Sequence, residues 1–528
     1  MNNNKQNNEC LLRATSRPAW PSKDELPIVA FAPIPYSYQE SLDKQVHPEA
    51  LENIYQSVSE SGCNAVIIGL SGDATEYQMP AAKRHNVKVI FPVSGTWGIE
   101  SHCFDLLRKY IGNSDIAAWF SYDEPKPYQW GDAFYSLYKK IDMGDSTYWN
   151  QLTTAYGISS SLDQTRISIF NLIAESNTDW AGSFGIDYKD KNLAEKLDAA
   201  RHYLNNLQTL FRPWIWNYDY YPIKDKVEHG SIVIGGTKTD YEKFYGYLGL
   251  YQDFTKKIGS EFWAYGMCMA HEFYEDKTWT KLKDSFPTPT EGSLRFEVFS
   301  ALLYGAQGIV YYRYGLGISA AEAADPDKKG VVGNTKCVLA PLSCEVEKNS
   351  ENAIINVTIH KSIIWERLKK VNGEIKAFQK IFLRCNVKGH RQYPYSNGAT
   401  TNIETIKRYE GDISDIDECI EIAKCYGYGV LLTSLTNSQS NGKLRHYVAI
   451  MNLDPLSTIC TEAGIPTIHW SQVMSTATDR WNVTSLAWGL TPKLLSGKTK
   501  SGMRSDRSTR KSIHGNSSSP ARRFWNVS

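Results

Sequence analysis

The chain has 528 residues, enough for one large domain and a smaller one. Its 42% hydrophobic and 22% charged residues are ordinary for a globular protein, and a net charge of +1 gives it no general attraction to nucleic acid or anionic membrane surfaces. No apolar run approaches the ~20 residues that cross a bilayer, and the ten cysteines are scattered, with neither a CxxC pair nor a metal-ligand spacing.

The first residues, MNNNKQNNECLLRATSRPAW, are polar and carry no signal-like apolar stretch. Residues 1–25 therefore read as a disordered tail, and the chain is expected to stay inside the cell unless an export signal is missing from this sequence. From residue 26 to 384 short apolar strands alternate with amphipathic helices. The strands are IVAFAPIPY (28–36), AVIIGL (65–70), VKVIFPV (87–93) and IAAWFSYDEP (116–125). They continue with RISIFNLI (166–173), WIWNYDYYPI (214–223), EFWAYGMCMAH (261–271) and GIVYYRY (308–314). Between the first two, Leu51, Ile54, Tyr55 and Val58 share one helical face, and a helix over 357–382 closes the series.

Continuous apolar strands separated by helices imply a parallel sheet covered on both faces. Eight of them fit a (β/α)8 TIM barrel with insertions. A doubly wound open sheet is the alternative, disfavoured because no Gly-rich phosphate loop follows the first strand. After residue 385 the helices stop. GVLLTSL (429–435) and HYVAIMNLD (446–454) flank Asn441-Gly442 and read as paired antiparallel strands, so 385–484 is expected to be a small C-terminal β-sandwich. The segment 485–528 is rich in Ser, Lys and Arg and reads as a disordered basic tail.

Barrel enzymes build their sites at the C-terminal ends of the strands. The fourth strand ends in Tyr122-Asp123-Glu124, two adjacent carboxylates whose burial needs hydrogen bonds or a function. Hydrolysis of a glycosidic bond needs a carboxylic acid to protonate the leaving oxygen and a second carboxylate facing it. Glu124 suits the first role, and either Glu272, after the seventh strand, or Asp219, in the sixth, could oppose it. Sugar rings pack on aromatic planes, and the chain is 12% aromatic, with 15 Trp and 32 Tyr. Trp119, Tyr122, Trp216, Tyr218 and Tyr312 are the candidate platform, His271 a candidate hydrogen-bond partner for the sugar, and a buried aromatic core the competing account. Glu291 and Arg295 are spaced to support a helix start, and Asn64 to cap or turn the chain before the second strand.

The stretches AWFSYDEP (118–125), WNYDYYPI (216–223), FWAYGMCMAH (262–271) and PTEGSLRFEVFSALLYGAQGIVYYRY (289–314), with WERLKKVNGEIKAF (365–378), resemble the clan A glycoside hydrolases. The nearest likeness is to the family 42-like, β-galactosidase-like barrels of the Bacteroidetes type. That resemblance implies an acid/base at the end of the fourth strand and a nucleophile at the end of the seventh. Glu124 matches the first position. Asp123 stands where the clan usually has an Asn contacting the sugar 2-hydroxyl, and Glu272 lies beyond the usual place of the nucleophile. The expected activity is retaining hydrolysis of an oligosaccharide, a β-galactoside among the options, without cofactor or metal and with no nucleic-acid or membrane partner. The competing expectation is a carbohydrate-binding protein on a degenerate hydrolase barrel.

Overall fold

The computed structural model describes residues 18–38, 47–68, 75–92, 109–123, 163, 165–173, 192–210, 212–228, 231–233, 238–274, 282–317, 335–392, 408–411, 421–424, 430–438, 444–452, 467–469, 484–485 and 523–527. In chain order the first elements are β1 (Ile28–Phe31), α1 (Pro48–Glu60), β2 (Ala65–Ile67), α2 (Thr75–Arg84), β3 (Lys88–Pro92), β4 (Ile116–Asp123) and β5 (Ile167–Ile173). There follow α3 (Leu193–Leu210), β6 (Ile215–Asp219), β7 (Asp225–Glu228), β8 (Ser231–Val233), α4 (Lys238–Ile258), β9 (Glu261–Met267), β10 (Ala270–Tyr274) and β11 (Leu282–Phe286). Then come α5 (Glu291–Leu303), β12 (Ile309–Tyr312), β13 (Thr335–Leu339), β14 (Leu342–Lys348), β15 (Ile354–Lys361) and α6 (Ile363–Arg384).

Strands β1, β2, β3, β4, β5, β6, β9 and β12 close into a barrel in that order, with every neighbouring pair parallel. The fold is the (β/α)8 barrel expected from the eight apolar runs. Its interior is filled by Val29, Ala65, Ile67, Ile90, Ala118, Phe120, Ile167, Ile169, Ile215, Trp263, Tyr265 and Val310. Because side chains alternate along a strand, the intervening residues face the helices. Leu51, Ile54, Tyr55 and Val58 of α1 are buried, as their spacing predicts. Asn372 of α6 accepts from the Tyr311 hydroxyl (2.7 Å) and donates to the Ser61 carbonyl (2.9 Å). Gly62 beside it has φ +88°, and a Cβ there would lie 2.9 Å from the Asn372 Cβ, so only glycine fits. Asn64 ties down the entry to β1: its Oδ1 accepts from Ile28 N–H (2.8 Å), and its Nδ2 donates to the Leu26 carbonyl (3.0 Å).

Three loops on the C-terminal side of the barrel contribute strands to a sheet that the sequence pattern did not reveal. Its order is β13-β10-β11-β7-β8, built from the segments that follow β6, β9 and β12. The apolar run read as one seventh strand is in fact two. The barrel part ends at Met267, the chain turns through Cys268 and Met269, and β10 then pairs antiparallel with β11 and β13.

The C-terminal strands are β16 (Asn386–Gln392), β17 (Arg408–Gly411), β18 (Glu421–Lys424), β19 (Val430–Ser438), β20 (Leu444–Asn452), β21 (Thr467–His469), β22 (Thr484–Ser485) and β23 (Arg523–Val527). They form a six-stranded sheet, β17-β16-β19-β20-β23-β22, and a two-stranded one, β18-β21, where the sequence pattern places an all-β region. Strands β19 and β20 pair in register around the Asn441-Gly442 segment. The tail expected to lack order contains β23, which pairs with β20 and β22 through Trp525 and its neighbours.

The chain divides into two compact units, one of residues 1–289 and 306–379, the other of 290–305 and 380–528. Helix α5 therefore groups with the C-terminal sheet although its sequence lies between two barrel strands. Thr290 caps it in a capping box with Ser293, and Arg295 pairs with Glu291 at 3.0 Å, the structural role that their spacing implied. Among the described residues no helix is long and apolar enough to cross a membrane.

Candidate active site

Strand β6 carries the clearest polar signal at the barrel mouth. Ile215 belongs to the barrel interior, so Asn217 and Asp219 share its inward face. Asp219 ends the strand and is only 5% exposed. The amide of Asn171, on β5, donates to its Oδ2 at 2.9 Å. Asn217 is fully buried, and neither of its amide atoms has a hydrogen-bond partner among the described residues. Polar groups are costly inside a barrel, so three of them stacked at the C-terminal end mark a site rather than packing.

A run of aromatic rings begins beside this carboxylate. The Tyr221 phenol is pushed well above its ordinary range, first by burial and then by the Asp219 charge, with Tyr265 and Tyr312 close by. Tyr221 lies 6.2 Å from Tyr312, and Tyr312 lies 5.5 Å from Phe31, ring centre to ring centre. Phe31 in turn contacts Phe120 and Tyr265. A buried carboxylate rimmed by phenol hydroxyls and ring faces suits a polyhydroxylated ligand with apolar C–H faces.

The sheet formed by β13-β10-β11-β7-β8 continues the aromatic surface. His271 on β10 pairs across to Phe286 on β11, and Phe286 meets Tyr221 edge-on at 5.6 Å. Burial, then the charge of Lys224, pulls the His271 imidazole down to about 3, so it is neutral at ordinary pH. Asp225 of β7 is moved the other way, its carboxyl raised by burial against a hydrogen bond from Ser285.

The residues expected to form the site fare differently. Asp219 and Tyr312 both neighbour Tyr221. Trp119, Trp216 and Tyr218 do not: alternation turns them outward, into the layer between sheet and helices. Trp119 donates its indole N–H to Asp163 (3.1 Å) and packs on Phe91. Trp216 meets Phe254 of α4 at 5.1 Å, and the Tyr218 hydroxyl donates to the Phe244 carbonyl. All three are core residues, not a sugar platform. Glu272 also departs from expectation. It lies on β10 rather than at the end of a barrel strand, level with Lys336 across the ladder, and accepts from the Tyr274 hydroxyl. The inward residues that end β9 are Tyr265 and Met267, so no carboxylate closes the seventh barrel strand. Glu124 lies outside the described residues, as do the side chains of Tyr122 and Asp123. The backbone of β4 runs to Asp123, level with Asn171, after a register shift between Phe120 and Tyr122.

Sequence reading missed Asn171, Asn217, Tyr221 and Tyr265. The signal that could have found them is the placement of an Asn two residues past the inward pair Ile167 and Ile169, and two past Ile215. Among the described residues no cluster of three or more His, Cys, Asp or Glu side chains is arranged to hold a metal.

No family model matches the sequence, and no curated protein matches it. Solved structures similar to it include a β-galactosidase from the psychrophilic Marinomonas ef1, at 11% identity and a TM-score of 0.40, over 69% of this chain and 62% of that one. An endo-β-1,4-mannanase from Thermotoga petrophila is similar at 11% identity and a TM-score of 0.37, over 81% of this chain and 95% of that one. An endo-1,4-β-mannanase from Rhizomucor miehei is similar at 10% identity and a TM-score of 0.32, over 58% and 92%. The chain thus spans 62% of the length of the galactosidase. Likenesses this distant leave the fold resting on its own strand order and the site on its own geometry.

Proposed function

We propose that this chain is a glycoside hydrolase acting on an oligosaccharide, with the scissile bond held at the aromatic mouth of the barrel. The observation that carries the reading is Asp219, a buried carboxylate at the end of β6, bonded by Asn171 and next to Tyr221, which in turn neighbours Tyr265 and Tyr312. Glu124, directly after β4, is the proton donor to the leaving oxygen. A carboxyl in that role needs a raised pKa, and the neighbouring Asp123 charge supplies the repulsion that raises it. Asp219 takes the place that a strand-seven carboxylate holds in the resembled clan and attacks the anomeric carbon, with net retention. Tyr122, Asp123, Tyr312 and His271 contact the sugar. A β-galactoside is the first substrate to try.

The test is release of nitrophenol from a panel of aryl glycosides by the wild type, Glu124→Gln and Asp219→Asn. Hydrolysis of one glycoside, lost by at least about 10³-fold in each variant, is the expected result. Full activity in either variant removes that residue from the chemistry, and an inverted product by NMR would make Asp219 a base for water rather than a nucleophile. The bare end of β9 favours one second reading, a carbohydrate-binding protein on a hydrolase barrel. Sugar binding by calorimetry without turnover of any substrate would establish it.

A further inference from the structure

We infer that Asn171 is a positioning residue that fixes one oxygen of Asp219 and keeps the carboxylate in its charged form, so that the mouth offers a base or nucleophile rather than a second acid. The inference rests on the proposed glycosidase reading for its chemistry but not for its geometry. Strand β5 turns Ile167 and Ile169 inward, and both belong to the apolar barrel filling. The next inward position is Asn171, where a leucine of similar size would fill the same volume at no polar cost. The ladder sets Asn171 level with Asn217, one inward step below Asp219, so its amide reaches diagonally upward to Oδ2 at 2.9 Å. Asn171 is 2% exposed and Asp219 5%, which takes the bond out of water and strengthens it.

An amide N–H donates to either form of a carboxyl group but bonds more strongly to the anion. Tyr221 adds a phenol whose proton is held more tightly because of burial and the same charge. A phenol so raised is not a proton source for the reaction. Among the described residues, Asn171 on β5, Tyr218 within β6, Tyr221 after it and Tyr251 on α4 all lie within electrostatic reach of Asp219.

The experiment follows the protonation of Asp219 directly. Infrared difference spectra across pH, with Asp219→Asn identifying the band, are compared for wild type, Asn171→Leu and Asn171→Gln. Loss of the donor in Asn171→Leu is expected to raise the titration of Asp219 by about one to two pH units. The acid limb of kcat/KM for the best aryl glycoside should move with it while KM changes little, and Asn171→Gln should recover most of both. A folded Asn171→Leu protein whose Asp219 titrates as in the wild type overturns the inference. Should that variant fail to fold by circular dichroism, Asn171→Ser, too short to reach Oδ2, takes its place with the same two outcomes. A shifted band in a protein that hydrolyses nothing would keep the positioning role and reject the glycosidase reading. Hydrolysis with an unmoved band would do the reverse.

Discussion

Trp216 and Asp219 stand three residues apart on one strand and serve opposite purposes, and only the pleat decides which is which. Trp216 is sealed against Phe254, whereas Asp219 meets Asn171 at the barrel mouth. The sequence marks both as notable, a tryptophan and a carboxylate in the aromatic-rich run WIWNYDYYPI, but it does not say which parity faces in until Ile215 is known to be core. The same physics hid Asn171, an ordinary polar residue within an apolar run. Two histidines make a prediction at this scale. His271 and His390 are each held near 3 by burial, His271 in the first unit, His390 in the second, stacked on Tyr304 and bonded to Thr433. In the unfolded chain both titrate near ~6.5, so between those values the unfolded state binds more protons. Their contribution is complete above ~6.5 and is lost as pH falls toward 3, at up to ~1.4 kcal/mol per pH unit for each. Urea midpoints measured from pH 7 to 4 should fall, and less steeply in His390→Gln; an identical slope in that variant would show that the imidazole is not held neutral.

At the scale of elements, the eight barrel strands were readable because each is apolar on both faces, a pattern that hardly any arrangement besides a covered parallel sheet produces. The sheet of β7, β8, β10, β11 and β13 was not readable. Its strands are short, partly polar and paired with partners tens of residues away, so no local periodicity announces them. The position of Glu272 on β10 was unreadable for the same reason: an apolar run does not reveal that the chain changes sheets at Cys268 and Met269. Helix α5 shows the opposite case, where local chemistry was sufficient. Thr290, Glu291, Ser293 and Arg295 are all first-turn or second-turn residues whose partners lie within four positions. Thr290→Ala removes an oxygen that accepts the Ser293 N–H at 3.0 Å and should cost about 1 kcal/mol. Thermal unfolding checks it, and a melting temperature unchanged from the wild type would mean that the cap contributes nothing net.

The whole molecule departs from a simple order of barrel followed by sandwich. A boundary at residue 384 is natural in the sequence, where helices give way to strands, yet residues 290–305 group with the later unit. Every residue of α5 from Gly292 to Leu303 is buried, with Phe299 against Phe382 and Ser300 near the sulfur of Met451. A chain ending at residue 384 keeps α5 and discards the sheet it packs with. Such a chain should aggregate, read by light scattering after expression, because an apolar helix would face water. A monomeric product with the melting behaviour of the full chain would show that α5 is content without its sheet. The ring of barrel strands has a further consequence in time. Strand β1 finds its second neighbour only when β12 arrives, Ile28 beside Ile309, about 280 residues later. At roughly 5–20 residues per second of synthesis, a nascent chain carries the unpaired edge of β1 for about 15 to 60 s before the ring can shut. During that interval the backbone of Ile28–Phe31 is an open template for any other strand. Production of this protein in a cell should therefore depend on holdase chaperones far more than its finished, edgeless barrel would lead one to expect.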